Sequence, residues 1–269
     1  MRLHIIGSTG RTATNFVADV LSQNPKLISC HEGYKYCNGA KTQFLPLINL
    51  ENRALYQRQD GEAILNNKRD NATLQKFFDE DKILIDVAYY NAMAADPILS
   101  MNPNSKFVGI IRDCRSFVKS STVLTGEDPL PVGWPPKEKS LTAREKFISA
   151  GRIKPGKSDK YFETWNDFST IQKNIWLWKE TNLRILACKD KYPGRVLILS
   201  FDLLTDDRVK FINSITNFFD LEAFDYALDN ANRNQRKARL GFELEWSSED
   251  VKCLQSAQKE VNERWKTPV

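Results

Sequence analysis

The sequence predicts an α/β domain: a central, mostly parallel sheet flanked by helices. Short apolar runs alternate along the chain with amphipathic stretches of helical period, the pattern of strands that return through crossover helices. Helix-opening and helix-stopping residues fall at the junctions between the two patterns. A length of 269 residues is ample for one buried core, and residues 1–269 read as a single domain.

The elements follow in order. Leu3 to Ile6 is a first strand, and Gly7-Ser8-Thr9-Gly10-Arg11 the turn after it. From Thr12 the spacing of Phe16, Val17, Val20 and Leu21 is helical, until Asn24-Pro25 stops it. Leu27 to Cys30 is a second strand. Ile83 to Val87 and Phe107 to Ile111 are two more, with a helix from about Asn91 to Met101 between them. Asp113 opens a helix that runs to about Val123. Residues 125–165 change character: Pro129, Pro131, Pro135, Pro136 and Pro155 fall among Gly and Lys, with Trp134, Tyr161 and Trp165 interspersed. This reads as an irregular excursion or lid rather than a linker. A long helix from about Ser169 to Tyr192 ends at Pro193-Gly194, and Val196 to Ser200 is the last strand. Helices at about 206–219 and 247–265 close the chain, the second opened by Ser247-Ser248-Glu249-Asp250.

Composition narrows the function classes. Thirty-nine Lys and Arg against 34 Asp and Glu leave a formal charge of +5, compatible with a small anionic ligand but no signature of a nucleic-acid platform. No apolar run has the length of a membrane span, and no basic segment followed by an apolar stretch opens the chain. Five widely spaced cysteines without a Cys-x-x-Cys pair argue against a disulfide framework or a zinc knuckle, and two histidines against a multi-histidine metal centre. A reducing cytoplasm is the expected setting, with no metal.

Two segments carry chemistry. In Gly7-Ser8-Thr9-Gly10-Arg11-Thr12-Ala13-Thr14 a strand hands over to a helix whose exposed amides and dipole favour an anion. Thr12 and Thr14 supply hydroxyls, and Arg11 a planar cation suited to phosphate-like oxygens. The plainer reading is an ordinary turn with Thr12 as N-cap. The nucleotide-kinase loop Gly-x-x-x-x-Gly-Lys-[Ser/Thr] does not fit, because the glycines are three apart and Arg follows the second. The other segment is a strand that ends on Arg112 and enters a helix bearing Ser120 two turns on. Strand ends of this kind face the ligand crevice of open α/β sheets. Alone, each would pass for a surface arginine and a helix-facing serine.

Together the two segments are similar to the signature of sulfotransferases that use 3′-phosphoadenosine-5′-phosphosulfate (PAPS). Arg11-Thr12-Ala13-Thr14-Asn15-Phe16 resembles the family's Arg-Ser-Gly-Thr-Thr-Leu loop for the 5′-phosphosulfate. Arg112 and Ser120 resemble its Arg-x-Pro-x-x-x-x-x-Ser motif for the 3′-phosphate, with Cys114 in place of Pro. Trp176 to Asp206, with Phe201-Asp202-Leu203-Leu204, resembles a long helix, a strand and a Tyr-Glu-Asp-Leu end. The resemblance spans residue 3 to about 220 and leaves 125–165 unmatched. It implies a sulfotransferase fold akin to the P-loop NTPases, PAPS as co-substrate, and adenosine 3′,5′-bisphosphate as product. Gly10, Arg11, Thr12, Ala13, Thr14 and Asn15 would hold the 5′ end, and Arg112 and Ser120 the 3′-phosphate.

Sulfuryl transfer demands in-line placement, a stabilised leaving group and a base for the attacking hydroxyl. Arg11 is the expected leaving-group cation. His31-Glu32-Gly33-Tyr34 follows the second strand, where relatives often carry His or Glu, so Glu32 and His31 are the candidate bases. The plainer alternative is Glu32 paired with a lysine and His31 bonded to a carbonyl. Where relatives often have Glu-Lys-[Thr/Ser]-Pro, this chain has Asp86-Val87-Ala88-Tyr89, so a cation credited with assisting departure is missing. Asp86 reads as a second base or a strand-end partner, most simply a solvated carboxylate. Arg236 and Lys237, in a basic loop from Arg233 to Gly241, resemble a segment that closes over the nucleotide in some relatives; a solvated charge run is the plain alternative. Trp134, Tyr161 and Trp165 would stack on an acceptor or anchor the lid. The acceptor class (small molecule, saccharide or lipid) stays open. A P-loop nucleotide kinase and a non-catalytic nucleotide-binding module are the competing readings.

Overall fold

A computed structural model describes residues 2–37, 40–43, 48–58, 60–69, 82–122, 133–134, 151–228 and 244–266. Strand β1 (Arg2–Ser8) leads through a tight loop into α1 (Thr14–Leu21), and β2 (Leu27–His31) turns at once into the hairpin β3 (Tyr34–Cys37) and β4 (Ala40–Gln43). Two short helices, α2 (Asn52–Tyr56) and α3 (Gly61–Arg69), precede β5 (Ile83–Val87). Then come α4 (Asn91–Met101), β6 (Phe107–Ile111) and α5 (Cys114–Thr122). The long α6 (Thr170–Lys191), β7 (Val196–Ser200), α7 (Phe201–Asp206), α8 (Arg208–Phe218) and α9 (Ser248–Lys266) complete the described chain.

The strands form one sheet in the order β4-β3-β2-β5-β1-β6-β7. The five strands from β2 to β7 run parallel, and the β3–β4 hairpin adds an antiparallel edge beside β2. Every residue of β6 is buried, as are the last five of β1, which is why these stretches read as continuous apolar runs rather than alternating ones. One core lies between the sheet and α4, α5, α6 and α9, and the other between the sheet and α1 and α8. The result is three layers with both sheet faces covered.

Helix α6 begins where its sequence says it should. Ser169 accepts from the Gln172 amide and Gln172 reaches back to the Ser169 amide, a reciprocal capping box. Ser169 also donates to Asp250, whose carboxylate accepts from the Ser247 amide and hydroxyl and so caps α9 as well.

The predicted parallel strands and their helices are all present. Not predicted were the hairpin, α2, α3 and α7, each short and without a full helical or alternating period. Strand β1 runs on to Ser8, so Gly7 and Ser8 belong to the strand rather than to the turn. Most of the 125–165 excursion lies outside the described residues. Its described end packs down on the core, with Ile153 and Trp165 buried. Trp134 contributes an edge-to-face contact to Trp165 and donates its indole N–H to the Ile153 carbonyl at 3.1 Å. These aromatics are packing anchors. No helix among the described residues is long and apolar enough to cross a membrane.

Candidate functional site

The loop between β1 and α1 is held in an unusual backbone form. Gly10 (φ 86°), Arg11 (φ 57°) and Ala13 (φ 55°) all lie in the left-handed region, which non-glycine residues seldom adopt. Interspersed left-handed residues of this kind turn successive amides toward a common concavity, the geometry of an anion nest. The serine at the end of β1 ties the loop from beneath: Ser8 Oγ accepts from the Gly10 amide at 2.9 Å and from Thr12 Oγ1 at 2.7 Å. Thr12 is fully buried. Its hydroxyl therefore points inward, not at a ligand, and Thr12 is not the N-cap. That position falls to Ala13, so α1 opens without a side-chain cap and without an acid in its first turn. Uncapped amides and a dipole free of acidic neighbours are what an anion needs there.

Arg112 arrives beside this loop from the end of β6. Its Nη1 donates to the Arg11 carbonyl at 2.6 Å, and its guanidinium lies 4.8 Å over the Phe201 ring. The Trp178 indole donates to the Arg112 carbonyl at 2.7 Å, fixing the backbone where strand becomes helix. Nε of Arg112 is buried and has no protein partner. Burial lowers the pKa of this guanidinium, and the nearby charges of Asp113 and Asp202 oppose that; an arginine stays protonated regardless. A buried cation with an unused donor fits an anionic group that the chain itself does not supply. The Ser120 hydroxyl accepts from Nε of Arg11 at 3.0 Å, so Arg11 links Ser120 to Arg112. Arg11, Arg112 and Ser120, separated by up to 109 positions, thus form one contact cluster. As predicted, Asp113 opens α5, its carboxylate accepting from the Ser116 amide at 2.8 Å.

The third part stands at the end of β2. His31 Nε2 lies 3.1 Å from Thr14 Oγ1, across the mouth of the loop. Glu32 (φ 52°) and Gly33 (φ 75°) then make a left-handed turn. That turn is latched from below by Asp86, which accepts from the Gly33 amide at 2.9 Å. Asn91 Nδ2 donates to the other Asp86 oxygen at 2.9 Å, and also to the carbonyls of Asp86 and Ile6. Asp86 is therefore not a solvated carboxylate. It is buried at 4% exposure, and burial pushes its pKa up to about 6 while the bonds from Asn91 and Gly33 pull the other way. The strand-end-partner reading is the one its contacts match. Burial likewise raises the pKa of the Tyr89 hydroxyl; the Glu32 charge adds to that and Arg152 opposes it.

Of the expected site residues, the loop residues 10–15, Arg112, Ser120, His31 and Glu32 gather at the carboxyl ends of β1, β2 and β6. Val87 is fully buried in the core under α1. Arg236 and Lys237 lie outside the described residues. Asn91, Phe201 and Trp178 were not predicted as part of the site. Asn91 follows a strand and opens a helix, which is the one signal that could have drawn notice. Among the described residues no group of three or more His, Cys, Asp or Glu is arranged to hold a metal ion.

No protein-family model matches the chain, and no curated protein sequence matches it. Solved structures do. A sulfotransferase from Alicyclobacillus acidocaldarius superposes with a TM-score of 0.50 at 13% identity, covering 98% of this chain and 93% of its own. The sulfotransferase domain of the Synechococcus PCC 7002 olefin synthase gives a TM-score of 0.52 at 14% identity, covering 100% and 95%. The sulfotransferase domain of the curacin biosynthetic pathway gives 0.51 at 12% identity, covering 97% of each. The chain has the sulfotransferase fold.

Proposed function

We propose that the protein is a PAPS-dependent sulfotransferase that moves the sulfuryl group to a hydroxyl or amine acceptor by in-line transfer. The observation that carries this is the Arg11–Arg112–Ser120 cluster on a loop with left-handed residues, at the strand ends of a sulfotransferase fold. In this reading the amides of residues 10–15 and Arg11 hold the 5′-phosphosulfate and take up the negative charge that grows on the departing bisphosphate. Arg112 anchors the 3′-phosphate with the Nε that has no protein partner, supplying binding energy remote from the reacting sulfur. Glu32 removes the acceptor's proton as its oxygen or nitrogen bonds to sulfur and the S–O bond to the nucleotide breaks. The acceptor is a small molecule, a saccharide or a lipid.

Calorimetry tests the donor side. Adenosine 3′,5′-bisphosphate should bind without added metal and much more tightly than magnesium ATP; the reverse order would favour a kinase. Transfer of radiolabelled sulfate from PAPS to a mixed acceptor panel, resolved by mass spectrometry, then tests turnover. Glu32→Gln should lower that turnover and leave bisphosphate affinity nearly intact. The buried Val87, where relatives carry a cation, gives the non-catalytic module its specific support: bisphosphate binding with no transfer would establish it.

A further inference from the structure

We infer that His31 is a positioning residue for the donor nucleotide, orienting the Thr14 hydroxyl so that its hydrogen faces the 5′-phosphosulfate. This rests on the sulfuryl-transfer reading and extends it. The observation is the polar contact that crosses the mouth of the loop, His31 Nε2 to Thr14 Oγ1 at 3.1 Å. Both side chains are only partly buried, and each stands on a fixed frame. Thr14 is the first residue of α1, directly after the left-handed Ala13. His31 is the last residue of β2, in register with Val87 of β5 and paired with Tyr34 of β3.

A threonine hydroxyl has one hydrogen and two acceptor sites, whereas each imidazole nitrogen either donates or accepts. With an unprotonated Nε2, the Thr14 hydrogen is consumed by the ring and the hydroxyl offers an anion only lone pairs. With a proton on Nε2, the ring donates to Thr14, and the Thr14 hydrogen turns outward to the anion. Only in the second arrangement does the Thr14 hydroxyl donate to an anion in the loop. A bound phosphosulfate and an Nε2-protonated His31 therefore favour one another through the hydroxyl between them, a relay in which each bond polarises the next. No proton leaves either residue. Glu32 is left as the group that receives the acceptor's proton.

The test uses calorimetry on the full chain with two probes, adenosine 3′,5′-bisphosphate and adenosine 3′-monophosphate, which lacks the 5′ group. His31→Phe keeps a flat ring without the N–H and should weaken the bisphosphate about tenfold, the scale of one hydrogen bond to a charged partner. The monophosphate should change less than about twofold. Thr14→Val should give the same selective loss, and the double variant should be no weaker than Thr14→Val alone, since the two act as one unit. His31→Gln, whose terminal amide can reach the Nε2 position, should restore most of the affinity, and the shorter His31→Asn should not. Wild-type bisphosphate affinity in His31→Phe, an equal loss for both probes, or additive losses in the double variant would each overturn the assignment. Should His31→Phe fail to fold, the Gln and Asn variants suffice on their own: equal bisphosphate affinities for the two would overturn it. If the wild-type chain binds no bisphosphate at all, the sulfuryl-transfer reading fails together with this one, an outcome distinct from intact binding that ignores His31.

Discussion

Arg112 shows how much of the site a single residue can announce. Its place at the end of an apolar strand, eight positions before a serine, is readable without coordinates. Its partner is not. The bond from Nη1 to the Arg11 carbonyl joins positions 101 apart, and only the fold brings them within 2.6 Å. Thr12 teaches the opposite lesson, because its hydroxyl was expected to face the ligand and is instead buried against Ser8. A threonine's side is decided by the local φ, and nothing in the residue string foretells left-handed backbone at Arg11 and Ala13. For Arg112 the consequence is quantitative. Arg112→Ala should weaken adenosine 3′,5′-bisphosphate binding by about 1.5–3 kcal/mol, the range for a hydrogen bond to a charged group. Arg112→Lys should recover little of it, because an ammonium cannot both hold the Arg11 carbonyl and present a second fixed donor. Titration calorimetry on the two variants decides it, and unchanged affinity in Arg112→Ala would remove this residue from the binding cluster.

At the scale of elements, β5 does more than fill the sheet. Its run Ile83–Val87 reads as a buried strand, and a strand-end partner is one of the readings of Asp86, but the sequence does not single out that role. That role depends on Asn91 folding back over the strand end and on the hairpin turn at Gly33. The β3–β4 hairpin escaped prediction because its strands are short and polar, although Asn38-Gly39, the dipeptide between them, is the usual hairpin signal; the β2–β3 turn before it uses a glutamate at positive φ. The buried Asp86 should leave a thermodynamic signature. Its pKa stands at about 6 in the fold against 3.8 for an ordinary aspartate. Between those values the folded chain keeps a proton that the unfolded chain has released. Stability from this group is therefore greatest below about pH 4 and falls as pH rises through about 6. Roughly two pH units correspond to the order of 3 kcal/mol. Asp86→Asn has no such proton to lose. Urea unfolding of both proteins between pH 4 and 7 should show the wild type losing stability relative to the variant as pH rises. A constant difference across that range would mean that Asp86 titrates alike in the folded and unfolded chain.

For the molecule as a whole, the site exists because three layers meet closely at the end of β1. Gly10 serves the backbone bend of the first loop with its φ of 86°. Gly7 serves packing instead. A Cβ there would lie 2.6 Å from the Ala92 amide nitrogen, 2.9 Å from the Asn91 carbonyl carbon and 2.9 Å from Phe107 Cε2. Two of those atoms are backbone at the start of α4 and cannot rotate away, so the helix would have to shift bodily. Overpacking of this kind is worth about 1–3 kcal/mol. The damage should not stay local, because the displaced Asn91 also holds the Ile6 carbonyl and the Asp86 carboxylate, and Asp86 holds the turn that carries Glu32. Gly7→Ala should therefore lower the urea midpoint and, in the fraction that still folds, weaken bisphosphate binding as the loop after β1 loses its seat. A midpoint and an affinity both equal to wild type would show that α4 is free to back away from the sheet, and that the anion loop and the Glu32 turn are not held in register by its first residue.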